Sequence, residues 1–193
     1  MSQLKGFDEY MEAQTGRSMM EEQGVGNTIV WHLHGARKVV ARLAESSTYE
    51  VVLQPENGEP IPLHKTQIKF FHATEHADAL AERLKVDPEV RARNLEPILQ
   101  AGARHIVKNK TLYVLMREQR VTACTLLEGE LLRGLIGDFT RYELLFYLKS
   151  GVPVSVLRHA ILDLSDKQGR CQLKAVQDRR KDWKRSELYN GGA

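Results

Sequence analysis

Cysteine is scarce in this chain of 193 residues. Cys124 sits in an apolar run and Cys171 in a polar stretch, so the two thiols form neither a disulfide framework nor a paired metal-ligand spacing. A reducing, cytoplasmic setting is the expectation. Aromatic residues make up only 7% of the chain, although 42% hydrophobic residues are enough to fill globular cores. No long apolar run is present, and the stretch Met1 to Glu9 lacks the basic start and unbroken apolar segment of a leader, which predicts no membrane contact. Nothing matches a phosphate-cradling glycine loop, a nucleophile elbow or a catalytic dyad. The chain reads as a binder and not an enzyme, with no cofactor and no metal.

Net charge is also small, +3 in total, but it is unevenly placed. From Ser165 onward eight basic residues face four acidic ones, a net +4 that leaves −1 for the rest. Such a segment suits a polyanion, or is simply a solvated terminus. His72-Ala73-Thr74-Glu75-His76 has the H-x-x-E-H spacing of a zinc-binding helix, yet it falls where a strand enters a linker and no third ligand is evident. His32 and His34 alternate onto one face of a strand, which fits two edge imidazoles.

What the chain has instead is a repeat. His34 to Leu43, Tyr49 to Leu53 and Leu63 to Ile68 recur as Glu128 to Ile136, Tyr142 to Phe146 and Leu157 to Ile161. An internal repeat of this length predicts two copies of one structural unit. Residues 4–22 are expected to form a helix. Runs rich in β-branched and apolar residues then predict strands over 29–33, 39–43 and 49–54, with Asn57-Gly58 turning the chain into 61–71. Residues 73–109 change to a helical apolar period, with Asp87-Pro88 as a helix start. The second copy follows as a helix at 112–120 and strands at 121–127, 131–137, 142–149, 152–157 and 160–164. Gly134, in mid-strand, predicts a sharp bend or close backbone approach; the first copy has Ala41 there.

A helix, a bent strand with Gly129 and Gly134, the loop Phe139-Thr140-Arg141-Tyr142 and the closing segment Arg158-His159-Ala160-Ile161 resemble, in that order, the Sm-like family and within it the bacterial Hfq-like RNA chaperones. The first copy is similar but has Thr66 where that pattern has histidine. The resemblance implies a mainly β fold with some α: two Sm-like units, each an N-terminal helix plus a strongly bent five-stranded antiparallel sheet or small open barrel. The first would span 1–72 and the second 111–166, joined by a helical linker at 73–110 and followed by a basic tail at 167–193. It also implies uridine-rich single-stranded RNA as partner, held at a ring pore by Tyr142, Arg158 and His159, and in the first copy by Tyr49, Lys65 and Thr66. Arg117 and Arg120 would form a basic rim. A homo-trimer making a six-unit ring is the implied assembly, and RNA chaperoning or post-transcriptional regulation the implied function. A protein scaffold without specific RNA binding is the alternative. The opposite, adenine-binding face of such rings uses in part an aromatic on the first strand, and here those positions hold His32 and Thr125 instead.

Overall fold

The computed structural model describes residues 4–149 and 151–173. The expected helix over 4–22 is two helices, α1 (Phe7–Ala13) and α2 (Met19–Gly24). The break comes at Gly16, whose φ of 78° is left-handed. Ser18 then caps α2 by accepting the Glu21 N–H.

Strands β1 (Ile29–Leu33), β2 (Lys38–Ser46), β3 (Glu50–Pro55), β4 (Ile61–His64) and β5 (Ile68–Ala73) follow, a short 3-10 turn at Lys65–Gln67 separating the last two. After α3 (Ala77–Ala81), β6 (Lys85–Val86), α4 (Pro88–Ala92) and α5 (Asn109–Arg117) come β7 (Val121–Leu126), β8 (Glu130–Phe139), β9 (Glu143–Leu148), β10 (Pro153–Leu157) and β11 (Ile161–Asp166). The segment expected to be a helical linker therefore holds short helices, one of them capped by Asp87 and started by Pro88. It also holds a strand that joins the main sheet by pairing with β8.

The expectation of two separate five-stranded units is corrected by the sheet. All eleven strands form one open antiparallel sheet in the order β11-β7-β8-β9-β10-β5-β1-β2-β3-β4, with β6 beside β8. Each half runs in the same order: fifth, first, second, third, fourth. Even the irregularities coincide. One residue is skipped between Ile68 and Phe70 on β5 and between Ile161 and Asp163 on β11. Another is skipped between Leu43 and Glu45 on β2 and between Ile136 and Asp138 on β8. The halves are continuous because β10 pairs with β5, Ser155 lying opposite Phe71 and Val156 opposite Phe70.

Packing also crosses the halves. Leu4 lies in the core formed by α5 and β7 to β11, with Phe7, Tyr10 and Met11 against it, so the chain's first helix covers the second half. Tyr10 donates to the Asp138 carboxylate at 2.6 Å and accepts the Phe139 N–H at 2.9 Å. Met19 and Met20 of α2 fill the other core with Trp31, Leu53 and Phe71. The two backbone N–H groups of Met19 and Met20 donate to Glu143 of β9, both at 3.0 Å, and Thr140 donates to the same carboxylate. A buried carboxylate is retained at little cost when its acceptor sites are filled this way.

Gly134 allows the close approach foreseen for it. A Cβ there would lie 2.2 Å from the Tyr147 carbonyl oxygen and 3.1 Å from the Leu148 Cα, both backbone atoms that cannot rotate aside. Gly134→Ala is expected to destabilise the protein by about 2 kcal/mol, since the clash is relieved only by spreading β8 from β9. Urea denaturation checks this, and a stability equal to the parent's would refute it.

Candidate nucleic-acid interface

Two surface groups rise from equivalent turns. In the first half, the chain leaves β4 through Lys65, whose N–H donates to the Tyr49 carbonyl at 2.7 Å and so ties the β2–β3 turn to the β4–β5 turn. Tyr49 is 68% exposed. Its ring lies parallel to that of His64, 6.3 Å between centroids and 5° between planes. The His64 Nδ1 is fixed by the Thr66 hydroxyl at 2.6 Å and accepts the Thr66 N–H at 3.2 Å. Thr66 itself is buried, so it orients the imidazole from below while Tyr49, His64 and Lys65 stay at the surface.

In the second half the equivalent bond runs from the Arg158 N–H to the Tyr142 carbonyl at 2.8 Å. Tyr142 is 59% exposed, with the Arg141 guanidinium 5.4 Å from its ring centre. Arg158, however, turns inward. It donates to Asn109 Oδ1 at 2.9 Å and to the carbonyls of Thr140, Arg141 and Val107 at 3.0, 3.2 and 2.6 Å. Burial pushes its pKa down to about 10, so it remains charged at neutral pH. His159 is likewise engaged, through Nε2 to the Ile68 carbonyl at 2.9 Å, and burial lowers its pKa to about 4.

The sequence-based set is thus divided. Tyr49, Lys65 and Tyr142 are at the surface, while Thr66, Arg158 and His159 are structural ties. Arg117 is exposed at the end of α5 over the Tyr113 ring, and Arg120 pairs with Glu118. His64 and Arg141 were missed. Their signal was adjacency: each stands beside a residue already singled out, in a turn whose geometry sequence alone does not show.

A charge cluster that sequence reasoning also missed joins the two halves around the buried Lys69. Lys69 of β5, 1% exposed, donates to both Glu128 and Glu130. Glu128 also accepts the N–H groups of Gly35 and Ala36 from the other half, and lies 3.3 Å from His34 Nδ1. Burial would raise the Glu128 pKa, but the bonds from Lys69 and Gly35 prevail and hold it below the usual range. The histidine patterns resolve differently from a metal site. His32 and His72 face each other at 3.1 Å, Nε2 to Nε2, with His32 stacked on Phe70. Among the described residues no group of three or more His, Cys, Asp or Glu side chains is arranged to hold a metal. Cys124 is buried, its thiol pKa pushed up by burial, and Cys171 donates to Asp163. No helix among the described residues is long and apolar enough to cross a membrane. The basic tail lies outside the described residues from residue 174 on. No family model matches the chain, and no curated protein does.

Proposed function

We propose that the protein binds single-stranded RNA on the exposed rings of Tyr49 and His64 beside Lys65, with Arg141 and Tyr142 as a second stacking point. The exposed Tyr49–His64 stack is the observation that carries this reading. An unpaired base needs a flat face to stack on and a cation for its phosphate. The two rings and Lys65 supply these parts, and the Thr66 bond holds the imidazole in place before binding. Preference for uridine rests on the resemblance to Hfq-like proteins. RNA chaperoning and post-transcriptional regulation are the roles that resemblance suggests. The inward ties of Arg158 and His159 leave only Arg141 and Tyr142 of the second half's turn for RNA.

Fluorescence anisotropy with a short uridine oligomer tests the proposal. Tyr49→Ala is expected to weaken binding by about 1 to 3 kcal/mol with an unchanged salt slope, because stacking is lost and charge is not. Lys65→Gln is expected to flatten the slope of log affinity against log salt by about 0.7. If Tyr49→Ala binds as the parent does, the stacking site is elsewhere and the RNA reading of this surface fails.

A further inference from the structure

The internal junction between β10 and β5 shows what a strand pairing between halves requires. Peptide groups along a strand point alternately to its two sides. The Arg158 N–H donates to Tyr142 of the β8–β9 turn, so Val156 and Val154 face β9 and Ser155 faces β5, opposite Phe71. If copies of the chain joined by the same rule, β4 of one would take the place of β10 and β11 of the next the place of β5. Such an arrangement underlies the trimeric ring expected from the sequence.

Both outer edges depart from what that pairing needs. On β4, the Lys65 N–H donates to Tyr49, so Leu63 and Ile61 face β3 and Pro62 faces outward. Val52 opposes Pro62 as Leu145 opposes Ser155, which places Pro62 at the position of Ser155. It brings no N–H to the edge. Proline in a sheet is tolerated where its nitrogen faces away from the ladder, and there it blunts the edge against further strands.

On β11, Leu164 holds the place of Phe71, since it opposes Cys124 as Phe71 opposes Trp31 after the same skipped residue. Its carbonyl is already taken: the Gln172 N–H donates to it at 2.7 Å. The chain reaches this position through a turn in which Asp166 accepts the N–H groups of Gln168 and Arg170, both at 3.0 Å, and the Arg170 Nε at 2.6 Å. Ser165 then bridges Cys171, and Leu173 bridges Val107, so residues 170–173 are held on both sides. The Val107 carbonyl is in turn gripped by Arg158.

We infer that the protein is an edge-terminated sheet, Pro62 stopping one end and the returning segment 170–173 plugging the other, so that copies do not pair edge to edge. The occupant of the β11 edge is the chain itself. RNA binding is not required by this inference, and each can fail without the other.

Light scattering on the full chain at micromolar concentration tests it. The parent is expected at the monomer mass of 22.0 kDa. Pro62→Ser restores the donor that Ser155 supplies at the internal junction, and Gln172→Pro removes the donor that occupies Leu164. The double variant is expected to assemble to at least about twice the monomer mass. Pro62→Ser with Asp166→Ala unties the turn without adding proline and is the second arm, expected to assemble as well. A parent that assembles, as a trimer or otherwise, overturns the inference. So does monomeric behaviour of a double variant whose circular dichroism is that of the parent.

Discussion

Lys69→Met is expected to cost about 3 to 5 kcal/mol of stability, the range for removing one partner of a buried ion pair. The lysine is 1% exposed and is shared by Glu128 and Glu130, so its loss strands two carboxylates in a place where one side-chain oxygen, Glu130 Oε2, already has no hydrogen-bond partner. The position matters as much as the energy. Lys69 lies on β5, beside the β10 junction, and Glu128 reaches from the second half to the N–H groups of Gly35 and Ala36 in the first. Removing the charge therefore loosens the joint between halves as well as a local contact. Adding Glu130→Gln to Lys69→Met is expected to recover at least about 1 kcal/mol, because one uncompensated charge is then gone. Urea denaturation of the three proteins measures this. A Lys69→Met protein within about 1 kcal/mol of the parent would show that the cluster does not hold the junction.

Acid is expected to destabilise the fold well before its carboxylates are exhausted. Burial lowers the pKa of His159 to about 4 and that of His32 to about 3; burial lowers His34 and His72 as well. His159 and His32 stay neutral in the folded protein down to about those values, whereas the unfolded chain protonates them near the ordinary value of 6.5. Between the two values the unfolded state binds more protons, so stability is fully present above about pH 6.5 and falls as pH drops toward 4. For His159 alone the loss is on the order of 3 kcal/mol. His159→Gln keeps a donor for the Ile68 carbonyl and removes the titration, so its unfolding free energy should change less between pH 7 and pH 4 by about that amount. Identical pH profiles for variant and parent would place the acid sensitivity elsewhere.

Much of the β architecture is visible in the sequence because period-two apolar patterns and turn residues are local signals. The repeat marked equivalent strands, and Gly134 marked a close backbone approach that its lost Cβ contact explains. Tyr49, Lys65 and Tyr142 were singled out by the resemblance as residues at strand starts or within strands; that Tyr49 and Tyr142 are exposed and Lys65 half-buried in turns comes from the structure. The two longest predicted helical stretches are divided in the structure. Residues 4–22 read as a helix with mixed faces and 73–109 have a helical apolar period, but Gly16 breaks the first, and the pairing of Lys85 and Val86 with β8 takes residues from the second.

Which half a segment serves, and whether a basic residue meets solvent, was decided only by the tertiary structure. Arg158 and Lys65 occupy equivalent turns and both are cations. Only Arg158 finds the carbonyls of Val107, Thr140 and Arg141 within reach, because the chain around α5 has been brought over its turn. The joining of two repeats into one sheet has the same origin. A repeat in sequence determines two similar runs of strands, whereas the union of β10 with β5 depends on backbone groups that every sequence carries. Their pairing is chosen by what surrounds them: Lys69 between two carboxylates, Glu143 under α2, and Leu4 in the far core.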